Sequence, residues 1–355
     1  MRIVSLELEQ RSTMLSGLRR DGLLLRLRDE TGRSGHGEAS PLPGYSLSDL
    51  ASCERVLQAL KVPPIEAEPI EVLKLCQELV PNGEPKAARA ALEMALFDLA
   101  GQRIGEPVWM LLRRAGEAQA RPMPSLLPLA ALLDAKSEVE LIAQARAALE
   151  RGIRTLKVKI GRHGPFEEEL TRLRALRRQV GPSIRLRLDA NRSFAVSVAR
   201  ERLERLAELD LEYVEEPVAN PALLEPSAVP LALDETLHEP ELFRQLEGKF
   251  ATLGVVTLVI KPGALGFGGA LELARVARAH GLDLVLSHQF DGPVAFAASA
   301  HLALAVGSTE RAAGLDRHAG LKLFSELEVP LVSPAHIVSS GAPGLGLKPA
   351  KVRAA

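Results

Sequence analysis

The spacing of hydrophobic and polar positions changes along the chain, and the change divides it. Ile3 to Glu9 alternates apolar and polar side chains, the period of a half-buried strand. Gly22 to Arg28 and the start at Gly35-His36-Gly37-Glu38-Ala39 read as two further strands. Between the first two runs, Arg11 to Asp21 is polar and contains Gly17, a composition that predicts a mobile loop. Lys86 to Gly101 is rich in Ala and Leu and closed by Gly101, which predicts a helix. Strands followed by helices predict an α+β domain, with bounds at residues 1–118.

From Arg121 onwards, short apolar runs alternate with helix-length amphipathic segments through eight cycles. The strand runs are Met123 to Leu129, Thr155 to Ile160, Ile184 to Asp189, Leu211 to Glu215, Leu231 to Asp234, Val255 to Lys261, Asp283 to Ser287 and Ala312 to Asp316. The helical segments include Lys136 to Arg151, Phe166 to Val180, Val196 to Leu209, Gly268 to His280 and Pro293 to Val306. This alternation predicts βαβ units with parallel strands, and eight apolar strands predict a closed barrel over residues 119–322. Residues 323–355 break the rhythm. Gly341, Pro343, Gly344 and Gly346 are loop formers, and this tail is expected to return to the N-terminal domain.

Composition narrows the class. A chain of 355 residues with 46% hydrophobic and 25% charged residues and a mean hydropathy of +0.06 is expected to be soluble and globular. With only 3% aromatics, its core must be aliphatic. A formal net charge of -1 argues against nucleic acid or an anionic membrane as the main partner. Arg172, Arg174, Arg177 and Arg178 follow Glu167 to Glu169 and read as a solvated helix face. Cys53 and Cys76 are too few for a zinc cluster or disulfide framework and are expected to be buried free thiols. No run approaches the roughly 18 apolar residues of a membrane span, and the cytoplasm is the expected compartment.

Active sites of parallel barrels sit at the C-terminal ends of the strands. Five consecutive strands end there in ionisable residues: Lys157-Val158-Lys159, Asp189, Glu215-Glu216, Asp234-Glu235 and Lys261. One acid at a strand end is usually a cap or a turn former. Three converging carboxylates repel one another unless a cation neutralises them, and hard oxygen ligands favour Mg²⁺. Asp189, Glu215 and Asp234 are therefore the expected ligands. Glu215 is preferred to Glu216 because adjacent strand residues point opposite ways. Lys157 and Lys159 share one strand face, and strands two and six stand opposite in an eight-stranded barrel, so Lys159 and Lys261 are expected to face each other.

That arrangement suits removal of a proton beside a carboxylate, which leaves an enediolate with a second negative charge. At an effective dielectric of about 20 and ~4 Å, one unit charge pair is worth roughly 4 kcal/mol, so a dication supplies about 8. That is on the order of six powers of ten in rate. The base must be a neutral lysine, and a neighbouring ammonium and a metal both lower its pKa from about 10.4.

Lys157-x-Lys159, Asp189-Ala190-Asn191, Glu215-Glu216-Pro217, Asp234-Glu235 and Lys261-Pro262 resemble, in order, the muconate-lactonizing subgroup of the enolase superfamily. The resemblance implies an α+β capping domain, a modified TIM barrel of the (β/α)7β type, completion of the cap by the C-terminal tail, and Mg²⁺, with Mn²⁺ as a substitute. Within the subgroup, Arg20-Asp21-Gly22-Leu23, Gly35 to Gly44, Arg187 and Pro343 to Gly346 resemble the o-succinylbenzoate synthases of menaquinone biosynthesis. That likeness implies a lyase performing syn dehydration of a small carboxylate, a succinyl-hydroxycyclohexadiene carboxylate. Lys159 would be base and then acid, and Lys261 would stay charged beside the enediolate. Lys157, Arg187 and Ser287 would contact substrate, with Gly17 to Asp21 in a closing cap loop. Ser287-His288-Gln289-Phe290 departs from the Ser-rich turn of that pattern, and His288 reads as a loop histidine.

Two alternatives stay open. Dipeptide epimerases and N-acylamino acid racemases of the same superfamily use both lysines as bases, and Lys159 and Lys261 suit them equally. The Asp-x-Asp by which dipeptide epimerases hold the substrate amine is replaced by Asp316-Arg317-His318. A barrel that binds a ligand without catalysis is the alternative from another class, and the complete set of lysines and acids argues against it. The oligomeric state is left open.

Overall fold

A computed structural model describes residues 1–15, 17–81, 85–118, 124–162, 164–329 and 332–350. Strand β1 (Ile3–Leu15) pairs antiparallel with β2 (Leu18–Asp29), and β3 (Ser34–Ala39) completes a three-stranded sheet. The stretch expected as a loop is the far end of this hairpin, in register from Arg11 with Gly22 to Leu15 with Leu18. Polar cross-strand contacts hold it: Asp21 accepts from Ser12, and from Arg19 Nε at 2.8 Å.

The inner face of the sheet, with Leu23, Leu25 and Leu27 buried, packs on helices α1 (Leu50–Ala59) and α3 (Lys86–Ile104), and α2 (Pro69–Leu79) and α4 (Val108–Ala115) pack in turn on α3. β3 lies directly on the backbone of α3. A Cβ at Gly37 would stand 1.9 Å from the Ala91 carbonyl oxygen, and one at Gly35 2.2 Å from that of Ala95, so only glycine fits. Cys53 and Cys76 are buried free thiols, as expected.

After β4 (Leu126–Pro128), the strands β5 (Ala130–Leu133), β6 (Thr155–Lys159), β7 (Arg185–Asp189), β8 (Leu211–Glu215), β9 (Leu231–Leu233), β10 (Val255–Ile260) and β11 (Asp283–Leu286) lie in sequence order in one parallel sheet. The crossovers carry α5 (Glu138–Glu150), α6 (Phe166–Val180), α7 (Val196–Leu206), α8 (Pro240–Glu247), α9 (Phe250–Leu253) and α10 (Pro262–Ala279), with α11 (Pro293–Val306) after β11. The expected first strand is displaced. Leu126–Pro128 leaves the barrel to pair with His336–Val338, and Ala130–Leu133 is the barrel strand. The expected eighth strand is reduced to bridges from Ala313 to Leu129 and from Gly314 to Ser287. These still close the ring: Ala130 N donates to Ala313 O, and Gly314 N to Leu286 O, both at 2.8 Å.

The tail contributes β12 (Leu327–Glu328), β13 (His336–Val338) and β14 (Lys348–Pro349). Between β13 and β14 it touches the cap, where Leu345 N donates to Asp98 Oδ1 of α3 at 2.9 Å. Cap and barrel share one apolar core, with α3 against α10 and α4 against α11; Phe97 meets Phe267 edge to face at 5.2 Å. Among the described residues, no helix is long and apolar enough to cross a membrane.

Candidate active site

The parallel register brings the ionisable strand ends to one level. Lys159 pairs with Asp189, and Asp189 with Glu215. Asp234 follows the last residue of β9, and Lys261 the last of β10. Between β6 and β10 lie β7, β8 and β9 on one side of the ring, and β11, residues 312–314 and β5 on the other. Lys159 and Lys261 thus stand on opposite sides of one cavity of about 440 Å³, which Lys157, Asp189, Glu215, Ser287 and His288 also line.

The carboxylates are buried and unequally partnered. Lys157 Nζ sits 2.9 Å from Asp189 Oδ2 and 2.7 Å from Glu215 Oε1, while Lys261 pairs with Asp234. Burial pulls the Lys157 pKa down, but the carboxylates outweigh it and hold the ammonium well above its usual range. Burial also pushes Glu215 well up. Asp234, against the cost of burial, is held down to about 2 by Lys261 and Lys157. Burial lowers the pKa of Lys159.

As they stand, no three His, Cys, Asp or Glu side chains among the described residues form a ready metal cage, because lysine ammonium groups lie against the acids. On the acid arc itself, two carboxylate oxygens are nevertheless buried without a hydrogen-bond partner, Glu215 Oε2 and Glu235 Oε2. Buried acceptors short of donors, on an acid-rich arc of oxygen ligands, fit a hard cation.

Glu216 turns away from the cavity, as the alternation requires. It accepts from the backbone N–H of Asp234 and of Thr236, each at 2.8 Å, and pairs with Arg192 at 3.0 Å. It thereby fixes the turn that presents Asp234. The backbone just past these strand ends is left-handed at Asn191 (φ 41°), Arg192 (φ 63°) and Glu216 (φ 43°), strain of the kind that gathers at functional sites.

The other expected contacts are placed as follows. Arg187 is fully buried at the cavity floor. It pairs with Glu212, donates to Ala312 O at 2.8 Å, and leaves Nη2 without a partner. The Ser287 hydroxyl donates to Gly314 O at 3.2 Å. Asp316 is held by Arg151 through two hydrogen bonds of 2.8 and 2.6 Å.

Sequence reasoning missed Tyr45. Carried on the loop after β3, it donates to Asp234 Oδ1 at 2.7 Å, stands 2.7 Å from His238 Nε2, and lies under the Lys261 ammonium at 4.0 Å. Its only signal was its place next to Gly44. His288, read as a loop histidine, forms part of the cavity wall.

Residues 140–352 match the family described as Enolase C-terminal domain-like, and residues 15–113 the Mandelate racemase / muconate lactonizing enzyme N-terminal domain. The chain belongs to the enolase superfamily. Within it, the muconate-lactonizing subgroup accounts for both matches. The N-succinylamino acid racemase of Thermus thermophilus is 31% identical over 324 residues, covering 87% of this chain and 83% of that protein. The Protein PHYLLO, chloroplastic, of Arabidopsis thaliana is 30% identical over 305 residues; the match covers 81% of this chain but 18% of that much longer protein. A dipeptide epimerase from Methylococcus capsulatus, solved as a complex with Mg ion, superposes with a TM-score of 0.82 at 27% identity, covering 98% of this chain and 99% of that one. Other relatives are also named as epimerases and, in one case, as a racemase. Proteins that isomerise, rather than lyases, thus dominate the named relatives.

Proposed function

We propose that the protein is a Mg²⁺-dependent racemase that removes and returns the α proton of an N-acylated amino acid. The observation that carries this reading is the opposition of Lys159 and Lys261 across one cavity lined by Asp189 and Glu215, with Asp234 at the end of the intervening strand β9. Those three acids would hold the metal, which when bound supplies positive charge to the developing enediolate. Lys159 takes the proton from one face of the α carbon. Lys261 returns a proton to the other face, inverting the centre. Lys157 neutralises the acids and the substrate carboxylate beside them, and Arg187 sets the positive potential of the floor. Ser287 lies within reach of the substrate's far end.

An acylated nitrogen, rather than a free amine, is supported by the end of the barrel's last segment. A free ammonium needs an available acid, but Asp316 is already saturated by Arg151 and position 318 is His. The racemase from T. thermophilus, named for N-succinylamino acids, has the same substrate class.

A second reading, syn dehydration to o-succinylbenzoate, is favoured by one observation. Two of the segments that carry that resemblance meet beside the cavity, where buried Arg20 donates to the carbonyls of Ser40 and Pro41, each at 2.6 Å. Both substrates carry a succinyl arm. The test is a Mg²⁺ assay of purified protein on L-N-succinylamino acids, read by chiral chromatography, beside the succinyl-hydroxycyclohexadiene carboxylate, read by formation of its aromatic product. Appearance of the D-enantiomer at the higher kcat/KM supports racemisation. Turnover of the cyclohexadiene alone replaces it with the dehydratase reading.

A further inference from the structure

The ring of strand ends is chemically divided. The arc of β7, β8 and β9 holds the acids, and β6 and β10 hold the lysines. A substrate whose carboxylate lies at that arc must extend its remaining arm towards β11, residues 312–316 and β5. Asp316 there is taken up by Arg151, and the Ser287 hydroxyl is directed to Gly314 O. His288 remains.

Its ring is held on several sides. It stacks on His318 with centroids 3.9 Å apart and 31° between the planes, and meets Phe290 edge-on at 5.1 Å. Phe290, in left-handed backbone at φ 60°, aims its N–H at His288 Nδ1, 3.1 Å away. An N–H pointing at Nδ1 makes that nitrogen the acceptor, so the proton of the neutral ring is on Nε2. Burial first, then His318 and the three cavity lysines, keep the ring uncharged. His318 is fixed in the same tautomer: its Nδ1 accepts from Gly320 N at 3.2 Å, and its buried Nε2 has no partner.

We propose that His288, backed by His318, is the specificity-determining donor of this site, its Nε2–H bonding an oxygen of the substrate's acyl arm. The assignment rests on the acylated-substrate reading and deepens it. A fixed, neutral N–H against an acyl oxygen rejects a substrate that lacks the oxygen, because the donor would then be desolvated without a partner. A cation at this place would attract any anion, and a hydroxyl could turn away; a ring pinned at Nδ1 does neither. The structure thus gives a reason for histidine where a serine-rich turn was expected.

The test uses the full chain with Mg²⁺ and three proteins: wild type, His288→Gln, which retains an N–H donor, and His288→Leu, which fills similar volume without one. With an N-succinylamino acid, His288→Leu is expected to raise KM about 30-fold with a smaller change in kcat, the mark of a contact made in ground and transition state alike. His288→Gln is expected to recover most of that loss. In ¹⁵N-labelled wild type, the Nε2–H of His288 is expected to move downfield on adding the succinylated amino acid, a readout that does not depend on turnover. Equal impairment of the Gln and Leu variants, or a KM for the Leu variant within about twofold of wild type, overturns the donor role. Wild type that exchanges α protons of acylated and unacylated carboxylates equally well also overturns it, while leaving proton abstraction intact. Wild type inactive on every carboxylate, with an unmoved Nε2–H, refutes both this inference and the function on which it rests.

Discussion

The hydroxyl of Tyr45, carried by the cap, donates a 2.7 Å hydrogen bond to Oδ1 of Asp234 at the end of barrel strand β9. One side chain thus ties the smaller sheet domain to the acid arc. It also occupies one carboxylate oxygen, which orients the other.

Tyr45→Phe removes that bond and keeps the ring beneath Lys261. Supporting hydrogen bonds of metal ligands are typically worth about 10- to 100-fold in metal affinity. The variant is expected to bind Mg²⁺ about tenfold more weakly by isothermal titration calorimetry, with an unchanged circular dichroism spectrum. Unchanged affinity would place Asp234 outside the metal site.

Lys261→Arg distinguishes a second base from a fixed charge. The guanidinium keeps its charge near neutral pH and does not exchange a proton there. Racemisation is expected to fall by about 10³-fold. Exchange of the substrate's α proton from the Lys159 face is expected to persist at a reduced rate, read by NMR on the L-enantiomer in D₂O. Racemisation that survives the substitution in step with exchange would assign Lys261 to charge stabilisation, because the guanidinium keeps the charge.

Gly37→Ala tests the contact between β3 and α3. With the new Cβ 1.9 Å from the Ala91 carbonyl oxygen, the strand must move off the helix. A cost of about 3 kcal/mol is expected, at the upper end for overpacking, read as a lower midpoint in urea denaturation. An unaltered midpoint would show that the strand–helix contact yields freely.

Acid stability is set in part by His301 on α11. Its Nδ1 accepts from Trp109 N at 3.1 Å and its Nε2–H donates to Leu345 O at 3.2 Å, an arrangement only the neutral ring satisfies. Burial lowers its pKa from 6.5 to about 4. A depressed folded-state value means that the stabilisation is complete above the unfolded pKa and is lost as pH falls through about 4. At ~1.4 kcal/mol per tenfold change in proton affinity, the loss is on the order of 3 kcal/mol. Melting temperatures are expected to fall more steeply between pH 6.5 and 4 in wild type than in His301→Gln. Parallel curves would refute the assignment.

The lysines and acids were legible because the barrel's side-chain alternation leaves few places for a charge, and a run such as Val255 to Ile260 makes Lys261 conspicuous. The strand order and the outward turn of Glu216 followed from the same periodicity. The hairpin end at Arg11–Leu15 was not legible: its pairing depends on polar contacts across strands, which have no apolar period. The eighth segment failed for a related reason. Ala312–Gly314 closes the ring with a few hydrogen bonds and too little length to form a full strand. Tyr45 and His288 lie on loops, where function depends on where the chain turns rather than on residue spacing.

The central claim is that Lys159 removes an α proton with the help of a divalent cation. Its most direct measurement is ¹H NMR of an N-succinyl-L-amino acid in D₂O, comparing wild type with Lys159→Ala, each with Mg²⁺ and with excess chelator. The account predicts loss of the α-proton signal with wild type and Mg²⁺ alone, and no exchange above the uncatalysed rate with the folded Lys159→Ala protein or in chelator. Exchange at the wild-type rate in either of those conditions would contradict it.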